Sequence, residues 1–291
     1  MINFRYHVVS LTAVLLALAA GTVLGAGFLT PEESDDQTTT AVADQGLTSF
    51  ENGYAAVTSP ALLRGRLARQ SVVVLTTPGA RSGDVRGVTA ALESAGATIV
   101  GRVDLTARLL DPANRQFADG VAEQAGADSD AVASAAAGFP RVGAALGRAL
   151  LTTQGTAIDE AATQLTAAFV EGDLATVATQ PTARATVAVI ITGPRTSGSS
   201  QQGASLAGIS AGLDQLGRGV VVAGPSSSSL DGGLVAGVRN DDVASQVSTV
   251  DVTDTAAGRI VVALAVAREV ADQAGAWGTS RSSDGAIPSA G

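Results

Sequence analysis

SVVVLTTPG (71–79) is the stretch on which the fold turns. Four apolar residues, three of them valine, sit between a serine and a Pro-Gly stop. A short, continuous, β-branched run of this kind reads as a strand buried on both faces, the habit of parallel sheets. The same signature returns at TVAVIITGP (186–194) and GVVVAGP (219–225). Thr98–Leu105 and Val247–Val252 are two further strands. Helical periodicity fills the gaps: Asp84 as cap of a helix to about Ala95, then 113–126, 141–151, 158–171, 201–216, 230–238 and 256–274. Strands alternating with helices predict an α/β domain, a Rossmann-like parallel sheet of about five strands with helices on both faces. The halves 71–150 and 186–275 fit either a duplication or two units of one domain.

Working toward the N-terminus, 47–69 reads as helical, with Pro60 placed to start its last part and Leu62, Leu63 and Leu67 on one apolar face. Residues 30–46 (TPEESDDQTTTAVADQG) are polar and acidic without a sustained apolar period, which predicts a flexible linker. Before it, 8–29 (VVSLTAVLLALAAGTVLGAGFL) carries no charge over about 22 positions, enough to cross a hydrocarbon core of roughly 30 Å. Arg5 precedes this run and Glu32, Glu33, Asp35 and Asp36 follow it. The positive-inside rule therefore keeps 1–7 cytoplasmic and puts the rest outside the inner membrane. A cleaved signal peptide is the alternative, but the run exceeds the usual ~7–15-residue apolar region. The organisation expected is 1–7 cytoplasmic, 8–29 transmembrane, 30–46 linker, 47–278 extracytoplasmic α/β domain and 279–291 flexible tail.

Composition narrows the chemistry. The net charge is −9, and all 18 basic residues are arginine. An acidic surface repels phosphate backbones, so no nucleic-acid partner is expected. There is no cysteine, the only histidine is His7 and the only methionine is Met1. A Ser-His-Asp triad in the domain is therefore excluded, as are thiolate and imidazole metal sites. No enzyme activity, cofactor or resident metal is expected. Gly208-Ile-Ser-Ala-Gly212 matches the nucleophile-elbow pattern in letters only, because Ser210 falls inside a predicted helix. The pairs Asp128/Asp130 and Asp241/Asp242 read as solvated turns.

Two loops follow strand ends and lead into helices: GPRTSGSS (193–200) and GPSSSSLDGG (224–233). In open parallel sheets, ligands bind beyond the carboxyl ends of strands. Arg195, Ser197, Ser199, Ser226 and Ser227 are thus the candidate lining of a small-ligand crevice, with backbone N–H groups and Arg195 suited to an anion. Leu62, Leu63, Leu67 and Trp277 are candidate self-association residues. A shared membrane anchor would raise the effective concentration of such a homodimer.

Several segments together resemble the actinobacterial copper transporter family, which groups mycobacterial copper transport proteins with SteB-like envelope proteins. They are 5–25 (RYHVVSLTAVLLALAAGTVLG), 59–80 (SPALLRGRLARQSVVVLTTPGA), 91–112 (ALESAGATIVGRVDLTARLLDP) and 248–267 (STVDVTDTAAGRIVVALAVA), with Gly275-Ala-Trp277-Gly278 near the end. Where family members commonly carry a heptad-rich coiled coil after the membrane helix, this chain shows only the short linker. The resemblance implies an extracytoplasmic Rossmann-like domain on a single anchor and a link to copper homeostasis. It also implies an envelope protein partner such as a peptidoglycan-hydrolase regulator. A copper channel is the competing implication, although one apolar helix makes no pore.

Overall fold

The computed structural model describes the backbone of residues 33–196 and 199–288. The apolar run 8–29 lies outside the described residues. Among the described residues no helix is long and apolar enough to cross a membrane. The chain divides into two compact units, 1–50 and 51–291. Of the first, the structure describes the helical stretch from Glu33.

The helices are α1 (Glu33–Leu63), α2 (Ser82–Ser94), α3 (Ala107–Leu110), α4 (Arg115–Ala125), α5 (Asp130–Ser134), α6 (Phe139–Leu150), α7 (Glu160–Glu171), α8 (Ser199–Asp214), α9 (Leu234–Arg239) and α10 (Ala256–Glu269). The strands are β1 (Ser71–Thr76), β2 (Thr98–Leu105), β3 (Ala175–Thr179), β4 (Val187–Ile191), β5 (Val220–Ala223), β6 (Ser248–Val250) and β7 (Ala276–Trp277). They form one seven-stranded sheet in the order β3-β2-β1-β4-β5-β6-β7. Only the β2–β3 pair is antiparallel.

The period of two along each strand divides the apolar residues between the sheet faces. Val73, Leu75, Ala188 and Ile190 join the core beneath α6, α7, α8 and α9. Val72, Val74, Val187, Val189 and Ile191 join the core beneath α2 and α10. Val73, Val74, Leu75 and the whole of β4 are buried. A continuous apolar run is therefore what two covered faces require.

The structure corrects the sequence reading at four places. The sheet has seven strands rather than about five, because the edge strands β3 and β7 are too short or too exposed to carry an apolar run. The polar stretch from Glu33 is helical and continuous with 47–63, although it was expected to be an unstructured linker. Pro60 accordingly lies inside α1 and does not start a helix. Asp84 does not cap α2: the N-cap is Arg81, and Asp84 sits in the first turn, buried, paired to Arg259 at 3.3 Å. Last, 279–284, placed in the flexible tail, is tied to the sheet through residues 276–284. Trp277 pairs with Val250, Asp251 Oδ1 accepts the Thr279 N–H at 2.7 Å, and Asp284 accepts that of Ala276 at 2.8 Å.

Candidate functional site

The chain runs from β1 outward to β2, and β4 then takes the other side of β1. The change of direction falls between β1 and β4, where open sheets form a crevice. Here two loops meet backbone to backbone. The loop after β4 packs Gly193 against Gly79, so closely that a Cβ on Gly193 would overlap the Gly79 carbonyl. Glycine at 193 is thus required by contact between two loops.

The five proposed crevice residues divide accordingly. Arg195 is exposed, and its Nη1 donates to the Asp231 carbonyl at 3.4 Å. Ser197 lies outside the described residues, and Ser199 is the first residue of α8. Ser226 donates both its backbone N–H, at 3.2 Å, and its hydroxyl, at 3.0 Å, to the Asp254 carboxylate. Ser227 is half-buried in a short 3-10 turn, and its carbonyl accepts from Leu230 N at 3.3 Å. A carboxylate already holds the Ser226 donors, so this loop is electrostatically unsuited to an anion. Beside it, Arg259 reaches from α10 to Asp84 and donates from Nε to the Thr253 carbonyl at 3.0 Å. Gly87 makes room for that guanidinium, since a Cβ there would meet it.

The self-association candidates also separate. Leu63 and Leu67 are wholly buried and Trp277 nearly so, all three within the core of their own domain. Leu62 alone of the four is exposed, at 48%. Leu63 ends α1 and Leu67 lies in the turn that follows, and both are buried in the same core.

The elbow-like motif receives a packing explanation. Ser210 is fully buried inside α8. Its flanking glycines face α6: a Cβ on Gly208 would meet Phe139 and one on Gly212 would overlap the Pro140 carbonyl. On α6, Gly143 is equally tight against Ile209. Three glycines let two helix backbones approach, which is why G-x-S-x-G stands there.

Two polar clusters escaped sequence reading. Arg239, with its side chain 3% exposed, pairs with the fully buried Asp251 at 2.5 Å. It also donates to the Trp277 carbonyl at 3.0 Å and to Thr249 Oγ1 at 2.8 Å. Asp251 is held below the usual carboxylate range: burial opposes this, but the Thr279 N–H, Ser280 and Arg239 outweigh it. At the opposite strand ends, Glu269 is buried against Gly219 and accepts the Ser248 hydroxyl. Burial first, and the charge of Asp214 second among the raising causes, push it up to about 8. Asp214 itself rises to about 6 through burial and the nearby Asp272.

A concave site lies elsewhere, a groove of about 500 Å³ lined by residues 51–62 of α1, by α10 and by Ile287 and Pro288. It coincides neither with the strand ends nor with the shifted carboxylates Asp214, Asp251 and Glu269. Among the described residues no group of three or more His, Cys, Asp or Glu is placed to hold a metal ion.

Comparison with known proteins gives a coherent result. The family model described as "Copper transport outer membrane protein, MctB" matches residues 1–288. The protein named "Copper transporter MctB" from Mycobacterium tuberculosis (strain ATCC 25618 / H37Rv) is 32% identical over 291 residues, covering 91% of this chain and 92% of the relative. Its namesake from Mycobacterium leprae (strain TN) is also 32% identical, over 296 residues with the same coverage.

Proposed function

Because this chain belongs to the MctB copper transport family, we propose that it serves copper homeostasis in the cell envelope as a membrane-anchored, non-catalytic binding module. The observation that carries the reading is the family match over residues 1–288 in a chain with no cysteine, one methionine at the start and one histidine at position 7. Copper(I) selects soft thiolate and thioether ligands, and copper(II) favours imidazole. The α/β domain offers neither, so its contribution to copper handling runs through another protein. The run 8–29 supplies the anchor, and the domain offers a surface to an envelope partner such as a peptidoglycan-hydrolase regulator.

Copper titration of the purified full-length chain tests this. The expected result is no copper(I) or copper(II) site tighter than micromolar, about −8 kcal/mol. Deletion of the gene should nonetheless raise copper sensitivity, with rescue by the full-length chain and not by one lacking residues 1–29. A stoichiometric nanomolar site would overturn the reading. So would copper conductance of the reconstituted chain, which is what the relatives' name favours.

A further inference from the structure

We propose that the groove between α1 and α10 binds a long-chain fatty acid, its acyl chain along the helices and its carboxylate at Arg66. The floor is Ile260, Val261 and Leu264 of α10. Three large apolar side chains on the walls are left wet: Tyr54 at 63% exposure, Leu62 at 48% and Ile287 at 61%. Large side chains scattered singly on a surface need no explanation, but three converging on one concavity mark a binding site.

Size decides what fits. The groove holds about 500 Å³, within the roughly 300–1,000 Å³ of small-molecule sites. A volume of that order suits one extended acyl chain lying along the two helices.

Charge decides the head group. The chain as a whole is −9, yet residues 52–83 contain four arginines and no acidic residue. Arg64, Arg66 and Arg69 are exposed there, and Arg66 and Arg268 both line the groove against one carboxylate, Glu51. A local excess of guanidinium on an acidic protein attracts a carboxylate head and disfavours a cationic one.

The test uses the full-length chain in its native membranes and a diazirine-bearing palmitic acid, with crosslinked residues mapped by mass spectrometry. Labels are expected on 51–66 and 257–271. Unlabelled saturated fatty acids should compete about fourfold better per added methylene, up to a plateau where the groove is full. A trimethylammonium of equal length should compete at least tenfold worse. Leu264→Trp, which fills the groove, and the surface change Ile287→Asp should each reduce labelling at least tenfold. Arg66→Ala should narrow the gap between carboxylate and ammonium competitors. Leu264→Trp alone could fail by misfolding, but Ile287 is exposed, so undiminished labelling in Ile287→Asp overturns the proposal. Labels confined to 8–29 would do the same, as would equal labelling by a phospholipid carrying the same photoreactive chain, which would assign the face to bilayer docking.

Discussion

Replacing Glu269 by glutamine should make this protein more stable in mild alkali, the reverse of what loss of a buried hydrogen-bonded side chain ordinarily does. Glu269 closes α10 and lies 5% exposed beside Gly219, Ser248 and, within electrostatic reach, Asp214. Its folded pKa of about 8 stands against the ordinary 4.5 of an exposed glutamate. The folded state therefore holds this proton more tightly than the unfolded state does. Below about pH 4.5 both states are protonated and the contribution to stability is complete. Between 4.5 and 8 the unfolded chain ionises first and stability drains away; above 8 the loss is complete. At about 1.4 kcal/mol per pH unit, the rise from 4.5 to about 8 sets a ceiling of about 5 kcal/mol. About 3 kcal/mol of that is already lost at pH 7. Asp214, raised to about 6, adds a smaller loss between the ordinary 3.8 and 6. Glutamine keeps the size of the protonated acid and cannot ionise. Urea midpoints at pH 5, 7 and 8.5 should show the two proteins converging at the acid end and Glu269→Gln ahead by a few kcal/mol at pH 8.5. Parallel pH profiles for the two proteins would refute the reasoning.

Arg239→Ala leaves Asp251 charged, buried and unpaired, at a cost of about 3–5 kcal/mol. Loss of the Arg239 bond to the Trp277 carbonyl should loosen β7, read as a red shift of the single tryptophan's emission at a temperature where the parent is folded. Gly212→Val should lower the melting temperature sharply, because a side chain there drives α8 off the Pro140 carbonyl of α6. Ser210→Ala, in the same motif, removes a buried hydroxyl with no hydrogen-bond partner and should leave stability unchanged or slightly raised. A large loss with Ser210→Ala and none with Gly212→Val would reverse the packing account of that motif.

The parts of the fold legible in sequence are those where burial is two-sided. β1, β4 and β5 carry continuous apolar runs because both faces are covered, whereas β2 (TIVGRVDL) and β6 (STV) are broken by polar residues and are legible from their place in the strand–helix alternation. β3 (ATVAT) is exposed on alternate residues at the sheet edge, and β7 is only two residues long, so neither offers a run to read. α1 was half legible. Ala55 and Leu63 are buried while Phe50, Tyr54 and Val57 face water, so its apolar residues do not mark one inward face. The groove was not legible, since its walls come from residues near 54, 264 and 287. The serine loops were legible as loops, but that Asp254 holds the Ser226 donors depends on a partner 28 residues away.

The placement of β1 has a consequence for how this chain can be made. β1 pairs with β2 at once, but its other edge waits for β4, and Ser71 is bonded to Thr186, 115 residues later. At roughly 5–20 residues per second, that partner emerges about 6–23 s after β1. During that interval Val72, Val73, Val74 and Leu75 present an unpaired, uncharged edge of the kind that recruits other strands. A nascent chain held straight by export machinery or a holding chaperone over this interval would be protected. A ribosome pause between residues 105 and 186 would lengthen the exposure and raise the aggregated fraction without changing a single residue of the finished protein.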